Sequence, residues 1–175
     1  MGIGRTVLLA DYSEKALDVA AEQLRGEGHD MATHTVDVSQ HEAVVQLADA
    51  AVALGPVTQV VHTAGVSPGQ ATTERILHVD LLGTALVHDD FARIMAPGGA
   101  GVVTSSMAGH MAGAYPYDTE HALASTLVSK LLALPFLAPE EAGNSGAVYA
   151  LSKRGNAAAC EPLPSREATV RSRAT

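Results

Sequence analysis

Tyr149 and Lys153 stand four residues apart in Tyr149-Ala150-Leu151-Ser152-Lys153. On a helix that spacing rises ~6 Å and returns to the same face, so the phenol and the ammonium point at one spot. A cation beside a phenol favours its ionised form, which suits the pair to acid/base proton transfer. An accidental pair on a surface helix has the same spacing, so context must decide. Upstream, the apolar run from Gly101 closes on Ser105-Ser106, which places hydroxyls at the carboxyl end of a strand, where ligands of open α/β folds sit. A hydroxyl there can hold a carbonyl oxygen, although serine after a strand is also ordinary turn chemistry.

Other chemistries find less support. Eight histidines invite a metal reading, yet there is no His-Glu-x-x-His and no Cys/His cluster. The nearest candidate, His88-Asp89-Asp90, consists of adjacent residues that fan apart on a helix and reads as a solvated face, so no metal site is expected. A net charge of −8 leaves no basic face for a nucleic acid backbone. The single cysteine, Cys160, cannot close an internal disulfide, which fits a reducing cytoplasm. The longest apolar region, Leu123 to Ala138, is interrupted by Lys130 and Pro135. It falls short of the ~20 apolar residues of a membrane span.

The elements that must position these residues alternate. Thr6 to Asp11 reads as a strand, and Ser13 caps a helix with apolar positions Ala16, Leu17, Ala20, Ala21 and Leu24 that ends at Gly26 and Gly28. Met31 to Val36 is a second strand. Ser39 and Glu42 have the spacing of a capping box before the stripe Val44, Val45, Leu47, Ala48, Ala51, Val52. Val57 to Thr63 is a third strand, about Thr72 to Met95 a long helical stretch bent near Gly83, and Gly101 to Ser105 a fourth strand after the break at Pro97-Gly98-Gly99. The β-α-β-α-β-α-β order predicts parallel strands in a doubly wound α/β sheet of Rossmann type. Residues 107–147 interrupt the alternation as a helical insertion, Ala147 to Cys160 is a further helix, and 161–175, with two prolines and three arginines, reads as a flexible tail.

In this order the chain resembles the short-chain dehydrogenase/reductase family. The matching residues are Asp11 ending "TVLLAD", the pair Asp37-Val38, "HTAG" at 62–65 where the family has Asn-Asn-Ala-Gly, "VDLLGT" at 79–84, "SSMAG" at 105–109 and "YALSK" at 149–153. The resemblance covers residues 6 to about 158 and implies NAD(P)-dependent hydride transfer between a small-molecule alcohol and a carbonyl. By that resemblance Tyr149 is the general acid/base. Lys153 supports it and holds the nicotinamide ribose, and Ser106, directly before Met-Ala-Gly, holds the reacting oxygen. Asp11 would take the adenosine ribose hydroxyls and repel a 2′-phosphate, which implies NAD rather than NADP. Asp37 and Val38 would flank the adenine, and Ala64 and Gly65 would let the backbone approach the cofactor. The long helix from about Thr72 and the helix of Tyr149 are faces on which the family associates, which implies a homo-oligomer.

Three departures qualify these expectations. Asp80 stands where the family has Asn, and a carboxylate cannot donate an amide's hydrogen bonds, so a proton-relay role is not expected of it. His62 likewise replaces Asn and reads as a packed or solvent-facing residue. Gly2-Ile3-Gly4 has the look of a phosphate loop. Seven residues from Gly4 to Asp11 leave no room for the helix such a loop opens, since parallel strands need a crossover of a dozen or more residues. Residues 1–160 are therefore expected to form an incomplete dinucleotide-binding domain lacking the family's first βα unit and its C-terminal strands. The absent strand belongs between those starting at Thr6 and Val57, so its loss leaves a gap or forces a new pairing. Two functions follow: an oxidoreductase, weak or inactive as this chain alone, or a non-catalytic α/β module that pairs with a homologue or itself.

Overall fold

In a computed structural model, residues 4–111, 113–138 and 140–160 are described. The tail expected at 161–175 and the glycine Gly2 lie outside them. The chain divides into two compact units. One gathers the chain up to Ala64 with Leu86–Val102, the other Gly65–Ala85 with the chain from Val103 on.

The first unit holds the alternating elements: β1 (Thr6–Asp11), α1 (Glu14–Gly26), β2 (Asp30–Thr35), α2 (His41–Leu54) and β3 (Val57–His62). The chain returns to this unit through α4 (Thr84–Ile94) and β4 (Met95–Val103). The Ser13 hydroxyl accepts the Ala16 N–H at 3.2 Å, the N-cap expected of it. The apolar stripe of α1 buries Leu17 and Ala21 where the helix packs on β1 and β2. The capping box at Ser39 does not form. Asp37 Oδ1 accepts both the Ser39 N–H at 3.0 Å and its hydroxyl at 2.7 Å, so α2 starts from Gln40 without a side-chain cap. The Ser39 hydroxyl is turned toward Asp37 as a donor in an Asx-type turn.

β1 and β2 pair in parallel from Thr6 opposite Asp30 to Asp11 opposite Thr35, and β3 and β4 form a second two-stranded sheet. Among the described residues no strand joins β1 to β3. The two pairs stay separate rather than closing on each other, which is the gap among the two expected outcomes. Strands of parallel sheets are ordinarily buried on both faces. Here β1 has no buried residue, and Val61 and Val102 are 53% and 59% exposed. The fourth strand starts six residues earlier than expected, at Met95, and runs through Pro97. In a two-stranded sheet both strands are edges, so proline forfeits no second ladder.

The second unit is helical. The stretch from Thr72 is α3 (Thr73–Ile76), then a π-helical turn (Leu77–Gly83), then the start of α4. A π-turn widens the helix by one residue and is frequent at functional sites. After β4 come α5 (Ala108–Met111), α6 (Tyr117–Ser125), two short 3₁₀ turns (Val128–Ala133 and Pro135–Leu137) and α7 (Ser145–Cys160). α7 begins two residues before the expected Ala147. It packs against α3, the π-turn, α5 and α6 around a core that includes Ile76, Leu81, Leu123, Leu131, Val148 and Leu151. Tyr115 lies against this core, and its partial burial raises the phenol above its ordinary value. An ion pair between Arg154 Nε and Glu120 Oε1 at 2.8 Å ties α6 to α7.

Candidate active site

Tyr149 and Lys153 share one face of α7, as their spacing predicts. The Lys153 ammonium lies 5.4 Å from the centroid of the Tyr149 ring, within cation–π range. Tyr149 is half-buried and Lys153 buried. A lysine can be buried only with its charge compensated, and the compensating group is Asp80 of the π-turn, whose Oδ1 is 2.7 Å from Lys153 Nζ. Asp80 is fully buried, at 0% exposure. Its Oδ2 accepts the Val66 N–H at 3.1 Å and its backbone carbonyl accepts the Thr84 hydroxyl at 2.9 Å.

The glycine of "HTAG" sits against this pair. A Cβ on Gly65 would lie 2.7 Å from Asp80 Oδ1 and 3.2 Å from Lys153 Nζ, so only glycine leaves room for the ion pair. Gly65 is itself exposed, which leaves an open backbone surface beside Lys153.

The two serines divide their work. Ser105 Oγ donates to the Lys153 carbonyl at 2.7 Å, binding the strand end to α7 at the residue that matters. Ser106, half-buried, accepts the Ala108 N–H at 3.2 Å as α5 begins. Gly109 lies directly on the α7 backbone, for its Cβ would be 2.8 Å from Arg154 N and 2.9 Å from Lys153 C. The Ser-Ser-Met-Ala-Gly segment is therefore held against α7 at Lys153 by a hydroxyl bond at one end and a close backbone approach at the other.

In the first unit, Asp11 is the last residue of β1 and Asp37 lies two residues beyond the end of its parallel neighbour β2, the two segments joined by the Val36 N–H donating to the Asp11 carbonyl at 2.9 Å. Asp11 is exposed, and its Oδ1 accepts the Ser13 N–H at 2.8 Å. Val38 is buried, and Ala64, after β3, is exposed. His62 is buried at 6% exposure. His88-Asp89-Asp90 departs from the expected solvated face: Asp90 is buried and pairs with Arg93 Nη1 at 2.9 Å and His41 Nε2 at 3.2 Å. Arg93 bridges the Asp89 and Asp90 carboxylates, and Asp90 also meets His41. Among the described residues no three His, Cys, Asp or Glu side chains converge as a metal site requires.

The sequence reading missed Asp80 as the counter-ion of Lys153. The signal was present: one acid inside the apolar run Ile76-Leu77-His78-Val79-Asp80-Leu81-Leu82 must be buried, and a buried carboxylate needs a cation or several N–H donors. The sequence places both Ser105 and Ser106 at the strand end, and only the folded chain shows Ser105 bonding the Lys153 carbonyl.

With this geometry in place, known proteins can be compared. The family model described as short chain dehydrogenase matches residues 1–120. The short-chain dehydrogenase/reductase bsc3 of Alternaria brassicicola is 38% identical over 157 residues, which is 89% of this chain and 57% of that protein. A short chain dehydrogenase from Mycobacterium smegmatis superposes with a TM-score of 0.61 at 22% identity, over 86% of this chain and 55% of its own. An NAD⁺-bound xylitol dehydrogenase does so with a TM-score of 0.61 at 21% identity, over 86% and 50%. This chain spans about half the length of the relatives it matches.

Proposed function

Because the chain belongs to the short-chain dehydrogenase/reductase family, we propose that it carries the reactive centre of an oxidoreductase that moves hydride between a nicotinamide cofactor and a small-molecule alcohol or carbonyl. One observation carries the reading: a lysine ammonium is held at the ring of Tyr149 on one helix, and the Ser105-Ser106 segment is bonded to that helix at the same lysine. Tyr149 is the general acid/base, Lys153 favours its phenolate and binds the nicotinamide ribose, and Ser106 donates a hydrogen bond to the reacting oxygen.

Taken unit by unit, the residues present suit parts of a dinucleotide. In the first, Asp11, Asp37 and Val38 are grouped at the carboxyl ends of two parallel strands, where such ligands sit. In the second, Gly65 offers exposed backbone beside Lys153. When bound, the nicotinamide gives or takes the hydride. Asp11 keeps a carboxylate oxygen for ribose hydroxyls, and its negative charge disfavours a 2′-phosphate, which supports NAD over NADP. The exposed Cys160 suits a reducing cytoplasm, and no helix among the described residues is long and apolar enough to cross a membrane.

The test is NAD⁺-dependent oxidation of a panel of secondary alcohols, followed by NADH absorbance. Tyr149→Phe should lower turnover by about 10²–10⁴-fold with an unchanged melting temperature. Equal turnover in both proteins sinks the reading.

A second reading is supported by Val61 and Val102, exposed on strands. They suit an α/β module that pairs with a homologue or with itself, and self-pairing is also compatible with the enzyme as a homo-oligomer. Sedimentation showing a monomer across the accessible concentration range removes self-pairing from both.

A further inference from the structure

We propose that Asp80 is a positioning residue, the internal counter-ion that holds Lys153 at Tyr149 as a compensated pair and thereby sets how strongly the lysine can favour the phenolate. This rests on the acid/base role proposed for Tyr149 and deepens it.

The carboxylate is committed at both oxygens. Oδ2 is fixed by the Val66 N–H, and Oδ1 has no other hydrogen-bond partner among the described residues, so the ammonium 2.7 Å away is what balances it. The backbone of Asp80 is in turn anchored through its carbonyl to the Thr84 hydroxyl. Two consequences follow. Lys153 is pinned in place, because swinging away would strand a fully buried carboxylate. The group facing Tyr149 is also closer to a neutral dipole than to a free cation, which weakens its pull on a phenolate.

Other charges on the elements packed against α7 have their own neighbours or face solvent. Glu120 of α6 pairs with Arg154 of α7, and His78 Nδ1 meets the Glu74 carbonyl. Arg75 of α3 is half-buried with its backbone N–H on the Thr72 hydroxyl. Glu74, His110 of α5, Asp118 and His121 of α6, and Lys130 are exposed. Among the described residues, the charge paired with the ammonium is that of Asp80, and an uncharged residue of the same shape there removes that compensation.

The experiment follows the phenolate absorbance of Tyr149 as a function of pH, as the difference between each protein and its Tyr149→Phe counterpart. Asp80→Asn keeps an acceptor for the Val66 N–H and removes the charge. It should bring the onset of phenolate to lower pH than in the parent chain. An unchanged onset in a folded variant overturns the proposal, as does a shift to higher pH. Should Asp80→Asn fail to fold, Lys153→Met is compared with the double variant Asp80→Asn/Lys153→Met. Onset at higher pH in the single variant supports the proposal, and equal onsets overturn it. No turnover is needed for this readout, so its failure is distinct from failure of the dehydrogenase reading, which shows as activity indifferent to Tyr149→Phe.

Discussion

The ends of β1 and β2 and the π-turn beside α7 each present acids, but in opposite settings. Asp11 is exposed and Asp37 half-buried, and each carboxylate accepts from a residue two positions on, Asp11 from Ser13 and Asp37 from Ser39. Asp80 is fully buried and bonded to a residue 14 positions away and to a lysine on another helix. The first arrangement leaves the exposed Asp11 carboxylate within reach of a ligand. The second has already spent its charge inside the protein. Solvent-facing strand ends suit the holding of a ligand, and a desolvated, closely packed cluster suits the fixing of a charged side chain.

The contrast can be tested at both places. The largest effect is expected from Asp80→Ala, which leaves the buried Lys153 ammonium unpaired. Chemical unfolding should register a loss of about 3–5 kcal/mol. The matching Asp11→Ala, at an exposed turn, should change stability far less. If the two cost the same, burial is not what separates them. Next comes Gly109→Ala. The added methyl meets backbone atoms of Lys153 and Arg154, which cannot swing aside as a side chain would. A cost of about 1–3 kcal/mol is expected in thermal unfolding, together with impaired turnover because the serine segment is pushed off α7. The smallest effect needs no substitution. Amide hydrogen exchange should reach β1 and β3, whose strands are largely exposed, before the segment Val148–Asn156 of α7, which is mostly buried. Exchange in the reverse order would break the comparison.

Local pattern made much of this legible. The helix carrying Tyr149 and Lys153, the cap at Ser13, three strands to within a residue or so at each end and the bend near Gly83 all follow from short-range signals, which neighbours along the chain impose on one another. Signals failed where a distant or competing partner intervened. Ser39 had two acceptable uses for its hydroxyl, and Asp37 decided between them. Asp90 looked solvated until His41 and Arg93 met it. Pro97 read as a break because nothing in the sequence says that its strand has only one neighbour.

Residue order alone determined which side chains could do chemistry, because the four-residue return of a helix puts Tyr149 and Lys153 on one face whatever surrounds them. Only the folded chain decided what the lysine's charge is worth. Whether an ammonium stands free or is compensated depends on which acid approaches through space, and a π-turn some seventy residues upstream brings Asp80 to it. Coulomb attraction acts over a few ångströms and takes no account of distance along the chain.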